Sequence, residues 1–122
     1  MYRIPKDLDL SKMIGEFTTQ IAVGQNDIQL SFGSVTFTIE SKIMIIRDGK
    51  IIGIWEGANW PTSEFYEIMN VHVVDYKVPG ERTIVIVLEN NMEIHMHDDS
   101  DHYECIQISI DGNVKWLFNY NE

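Results

Sequence analysis

The feature that most constrains this chain is a two-residue alternation of apolar and polar side chains that recurs along most of its length. In "IQLSF" (28–32), "VTFTI" (35–39), "MEIHM" (92–96) and "CIQISI" (105–110) the apolar residues fall on alternate positions, so each stretch reads as a strand with one buried and one wet face. The runs "IMII", "IIGIW" and "TIVIVL" are more continuously apolar and read as more central strands. Between paired runs stand Gly33-Ser34, Asp48-Gly49, Asn90-Asn91 and Asp111-Gly112, residues that tolerate the positive φ of tight hairpins. The pattern predicts an antiparallel, hairpin-rich sheet.

Two segments break the alternation and predict short helices near 8–14 and 62–69. "DLDLSKMIG" offers Asp7 or Asp9 as an N-cap and Gly15 as a stop. "PTSEFYEIMN" offers Thr62 or Ser63 as a cap, Glu64 and Glu67 in the early turns, and Asn70 as a stop.

The two helical segments also align. Leu10 falls on Phe65, Met13 on Ile68, Ile14 on Met69 and Gly15 on Asn70. Small further shifts place Ile28, Leu30 and Phe32 on Ile84, Ile86 and Leu88, and Val35, Phe37 and Ile39 on Met92, Ile94 and Met96. The turn Asp48-Gly49 then falls on Asp111-Gly112, with Ile51 and Trp55 on Val114 and Phe118. The expectation is an α+β fold: two pseudo-repeated helix-plus-antiparallel-β-meander units, 7–55 and 62–118, joined by "EGANWP". Neither half can readily bury a sheet face alone, so the two should share one core, as a continuous sheet or as two facing sheets.

Composition sets the class of protein. With 122 residues and 44% hydrophobic content, the chain suits a single domain, 1–122, with a modest core. Nineteen acidic against nine basic residues give a formal charge of −10, which opposes contact with nucleic-acid phosphates or anionic lipid. From Glu89 onward eight carboxylates (Glu89, Glu93, Asp98, Asp99, Asp101, Glu104, Asp111 and Glu122) face only Lys115. That imbalance either keeps the protein soluble or forms an acidic face for a basic partner. No signal-type or membrane-spanning apolar run occurs, and the single cysteine, Cys105, suits a reducing compartment; both point to the cytosol.

The alignment isolates one irregularity. The first unit passes from Ile39 to Ile43 through "ESK", whereas the second passes from Met96 to Ile106 through "HDDSDHYEC". The acidic, histidine-rich segment therefore reads as an insertion, and loops on a rigid frame commonly carry specificity. On a strand Glu93, His95 and His97 would share one face, which raises a metal site. The spacing matches no standard zinc or calcium loop, however, and the inward alternation of Met92, Ile94 and Met96 already explains why polar residues stand between them. No metal or other cofactor is assigned. No GxSxG, GxGxxG, P-loop or CxxC motif occurs, and no catalytic residue is assigned.

A short Leu-rich helix ending in Gly, the "IQLSF" strand, a helix before a second meander, and the C-terminal "DSDHYECIQI" together resemble small acidic bacterial proteins of unknown function. Among these are immunity proteins of polymorphic and contact-dependent growth inhibition toxin systems. The resemblance implies a non-catalytic protein that binds and neutralises a cationic toxin domain, often a nuclease. The contact residues expected for such a partner are Glu93, Asp98, Asp99, Asp101, Tyr103 and Glu104. The alternative is a small-ligand or metal-binding protein, or an enzyme, using a cleft near Trp55, Trp60 and His95.

Overall fold

The tight turns adopt the conformations their residues permit. Asp48 and Gly49 have φ of 53° and 79°, Asn90 and Asn91 64° and 58°, and Asp111 and Gly112 54° and 83°. Paired left-handed residues give the turn twist that matches a right-handed hairpin. In the computed structural model, which describes residues 4, 6–57, 59–98 and 105–118, these turns join β4 (Ile43–Arg47) to β5 (Lys50–Trp55), β7 (Thr83–Leu88) to β8 (Met92–His97), and β9 (Ile106–Ile110) to β10 (Asn113–Phe118). The remaining strands are β1 (Thr18–Val23), β2 (Ile28–Phe32), β3 (Val35–Ile39) and β6 (Val73–Gly80). All ladders between strands are antiparallel.

The strands form two five-stranded sheets, ordered β1-β2-β3-β9-β10 and β5-β4-β8-β7-β6. This corrects the α+β expectation and its helix-plus-meander units. The first half runs β1 to β5, yet β4 pairs with β8 rather than β3, so its last hairpin completes the sheet begun by the second half. Reciprocally, β9 pairs with β3. Each half thus contributes three strands to one sheet and two to the other. The runs read as central also divide: β4 and β7 are interior strands, whereas β5, carrying "IIGIW", lies at an edge.

The segments expected as helices are short 3₁₀ turns, Ser11–Met13 and Ser63–Ile68, and the described residues contain no α-helix. The apolar spacing explains the difference. Leu10 with Met13, and Phe65 with Ile68, sit three apart and are all buried, which suits a three-residue turn. Neither segment approaches the about 12–15 residues over which an isolated α-helix offsets its nucleation cost. Neither turn has a side-chain cap hydrogen bond. The Asp9 carboxylate instead accepts the Ser11 N–H at 3.0 Å, and hydrogen bonds from the Ser11 side chain and then its backbone hold Asp9 below the usual carboxylate range. Both turns end alike: Ile14 and Met69 swing to extended conformations, and Gly15 and Asn70 follow with φ of 90° and 65°.

The shift that carries Gly15 to Asn70 also carries Phe17 to His72, and these two residues pair with each other in an antiparallel bridge. The surrounding bonds come in matched couples. Gly15 N–H donates to Val73 O and Asn70 N–H to Thr18 O, while Thr18 N–H donates to Val71 O and Val73 N–H to Glu16 O. A pseudo-twofold axis therefore passes between the Phe17 and His72 rings, which meet edge to face at 5.2 Å. Two pairs of strand irregularities obey the same relation: the shift at Thr18/Gln20 in β1 matches that at Val73/Asp75 in β6, and the shift at Val114/Trp116 in β10 matches the one facing Ile45/Ile46 in β5, while the further shift at Lys77/Gly80 in β6 has no counterpart in β1.

Inward residues of both sheets meet in one cluster that includes Leu30, Phe37 and Ile108 from the first and Ile45, Trp55, Ile86 and Ile94 from the second. Gly53 allows a close approach where the second 3₁₀ turn crosses β5, since a Cβ there would lie 3.1 Å from the Phe65 backbone, tighter than ordinary van der Waals contact. No helix among the described residues is long and apolar enough to cross a membrane.

Candidate functional site

Because Met92, Ile94 and Met96 are buried, Glu93, His95 and His97 project from the outer face of the second sheet. The His95 Nε2–H donates to the Glu93 carboxylate at 2.8 Å, and Lys77 Nζ lies 3.8 Å from the same carboxylate. His97 Nδ1 pairs with the Thr83 hydroxyl at 3.2 Å, and the two imidazoles stand 6.4 Å apart. Hydrogen bonding along the strand therefore orients these groups individually rather than converging them on one point. Among the described residues no group of three or more His, Cys, Asp or Glu side chains is arranged to hold a metal ion.

Of the acidic connection from β8 to β9, the expected contact residues Asp99, Asp101, Tyr103 and Glu104, together with His102, lie outside the described residues. Asp98 is described, and it is fully buried rather than on a solvent-facing rim. The cause is its place at the crossover between sheets. Its N–H donates to Arg82 O at 2.7 Å, its carbonyl accepts from Arg82 Nη1 at 3.2 Å, and its carboxylate accepts from Cys105 Sγ at 2.9 Å. The shorter crossover, 40–42, runs alongside: His97 N–H donates to Lys42 O and Glu40 N–H to Cys105 O. Asp98 thus ties the start of the longer crossing to Cys105 at its end and to Arg82 ahead of β7, a role that serves the fold before any partner. Glu93, by contrast, is about one-third exposed and available at the surface.

The alternative cleft is not assembled. Trp55 is 1% exposed and shares the inward row Trp55, Ile43, Met96, Ile84, whereas His95 projects from the opposite face of the same sheet. Trp60 is exposed and lines a separate small depression with Val23, Gly24, Gln25 and Asn59. Phe65 belongs to the core and Tyr66 to the surface.

The outer faces of the two sheets differ at every equivalent position of their three central strands. On the first sheet the register aligns Gln29 with Thr38 and Gln107, and Ser31 with Thr36 and Ser109, so neutral polar side chains cover its central strands, with Val114 exposed on the edge strand beside Ser109. The Ser31 and Thr36 hydroxyls hydrogen-bond at 3.1 Å. On the second sheet the corresponding rows are Val85, His95, Met44 and Val87, Glu93, Ile46, extended onto the edge strand by Ile54 and Ile51. Ile51 and Ile54 are 54% and 40% exposed.

At one end of that apolar face an open depression of about 620 Å³ is lined by Ile46, Val74 and Val87, with the carboxylates of Asp48, Glu89 and Glu93 around it and no lysine or arginine among its lining residues. The tight turns after β4 and β7 build its wall, joined by the Asp48 N–H bond to Asn91 O at 3.0 Å. Glu89 is held below the usual carboxylate range, first by the His72 backbone N–H and then by the His72 ring. This face was not selected from the sequence. Its signal was the continuously apolar character of "IMII" and "TIVIVL", which predicts burial on both sides: Val85 is buried on the outer side, whereas Met44, Ile46 and Val87 are only partly covered.

No family model matches the chain, and no curated protein or solved structure matches it.

Proposed function

We propose that this chain is a non-catalytic binding protein that neutralises a cationic bacterial toxin domain, an immunity protein acting in the cytosol. The observation that carries the reading is the charge of −10 on a small double-sheet scaffold, with eight carboxylates against one lysine from Glu89 onward. A nuclease domain must present a cationic cleft to phosphates, and a protein of opposite charge gains fast, steered association with it. Glu93 supplies one surface carboxylate for that contact, and the acidic connection carrying Asp99, Asp101, Tyr103 and Glu104 follows directly from the same strand.

The test is co-expression with the toxin domain encoded beside this chain, followed by co-purification and growth rescue. A stable complex that restores growth, with association that slows steeply as salt rises, is the expected result. If no neighbouring product binds or is neutralised, the reading fails.

A further inference from the structure

We propose that the cationic partner docks on the outer face of the second sheet, laying an apolar patch over Ile46, Ile51 and Ile54 and seating a lysine or arginine side chain in the depression bounded by Asp48, Glu89 and Glu93. The inference rests on the preceding reading for the partner's charge, and it names the surface and chemistry of recognition.

Three observations converge. The first is the internal comparison. On the three central strands the first sheet folds with an outer face of Gln, Ser and Thr, so Met44, Ile46, Val85 and Val87 at the equivalent positions of the second are not demanded by the scaffold; at the edges the sheets are alike, since exposed Val114 stands beside Ser109 as Ile51 stands beside Ile46. Exposed isoleucines grouped on one sheet face mark an interaction surface.

The second is charge. The depression combines an aliphatic floor, Ile46, Val74 and Val87, with carboxylates and no basic residue in its lining. A long cationic side chain fits that chemistry: its methylenes cover the floor while its head group reaches the carboxylates. Each carboxylate keeps acceptor capacity beyond its present bonds, since two oxygens offer about four lone-pair directions. Glu93 engages His95 and Lys77, and Glu89 engages His72, so these groups are already oriented toward their positions on the face.

The third is what charge excludes. A second copy of this chain would bring another −10 and the same carboxylates to the interface, which opposes self-association through this face. A basic protein surface is therefore the occupant.

The experiment uses the full chain, isotopically labelled, with a short capped peptide alternating arginine and leucine as probe at low ionic strength. Amide shifts should concentrate at Ile46, Asp48, Asn91 and Glu93, leave Thr36, Thr38 and Gln107 unmoved, and weaken at least about tenfold in affinity in the variant D48N/I54S. Shifts centred on the first sheet or on the β8–β9 connection, or an unchanged affinity in the variant, overturn the proposal. The same variant is then tested against the co-expressed toxin domain. If the native chain binds that domain and D48N/I54S binds it equally well, the docking surface is wrong while the neutralising role stands; if the native chain does not bind it, the role itself fails.

Discussion

On its three central strands the outer face of the first sheet carries Gln29, Ser31, Thr36, Thr38, Gln107 and Ser109, while the equivalent points of the second carry Val85, Val87, Glu93, His95, Met44 and Ile46. Their inner faces show no such divide: Leu30, Phe37 and Ile108 on one side, and Ile86, Ile94 and Ile45 on the other, are all fully buried. The contrast separates two kinds of constraint within one molecule. Inward positions must fill a shared core at close-packed density, which the two halves meet with side chains of similar size. Outward positions are loosely held by folding, because surface substitutions usually change stability by no more than about 0.5 kcal/mol. The apolar rows on the central strands of the second sheet, which the first sheet lacks, therefore point away from folding and toward contact with something else.

The largest effect should come from breaking the exchange of hairpins. Expressed separately, residues 1–58 and 59–122 each lack the hairpin that completes their own three-stranded portion, and each should remain largely unfolded by circular dichroism. Mixed, they should recover β structure. A cooperative unfolding transition from either fragment alone would contradict the interleaved architecture.

Next in size are core truncations at matched positions. Phe37→Ala and Ile94→Ala, on the equivalent central strands β3 and β8, should each cost about 2–5 kcal/mol in denaturant titrations. A cost well under about 1 kcal/mol at one position only would show that the two sheets do not share the core equally.

A smaller loss, about 1–3 kcal/mol, is expected for Gly53→Ala, whose methyl would press on the Phe65 backbone where no flexible side-chain end can yield. If thermal unfolding is unchanged, the 3₁₀ turn must be free to lift away from β5.

The smallest effect concerns acid. Glu89 has a depressed pKa in the folded chain, so its contribution to stability is present above the usual carboxylate range and is lost as pH falls through its folded value. Glu89→Gln should slightly reduce the loss of thermal stability between neutral and acid pH. The pair with His72 is nearly half exposed, so solvent screening keeps the difference small. A variant more sensitive to acid than the native chain would reverse the sign expected.

Much of this organisation is legible in the residues. Period-two alternation marks β2, β3, β8 and β9, and Gly33-Ser34 with the Asp-Gly and Asn-Asn pairs marks hairpin turns, because both signals are local. What is not legible is which sheet a hairpin joins. The three residues 40–42 cross from one layer to the other, and nothing in "ESK" distinguishes a crossing from a turn within a meander. The helical reading failed for a related reason: an i, i+3 apolar pair with acidic neighbours is common to an α-helix and a 3₁₀ turn, and brevity decided between them. At the candidate surface, Glu93 was visible through alternation. Ile51 and Ile54 were not, because the bulge in β5 places both outward three residues apart, a spacing that breaks the two-residue alternation of a strand.

The most direct test exchanges the two outer faces. One variant gives the second sheet the residues of the first (Met44→Gln, Ile46→Ser, Val87→Ser, Glu93→Thr, His95→Thr), and the reciprocal variant gives the first sheet those of the second (Gln107→Met, Ser109→Ile, Ser31→Val, Thr36→Glu, Thr38→His). Calorimetric titration with the arginine–leucine peptide should show at least about tenfold weaker binding for the first variant and a second site of comparable strength for the reciprocal one, with both chains folded. Unchanged binding by the first variant, in a chain that retains its unfolding transition, would place recognition outside this face and contradict the assignment of the second sheet as the partner surface.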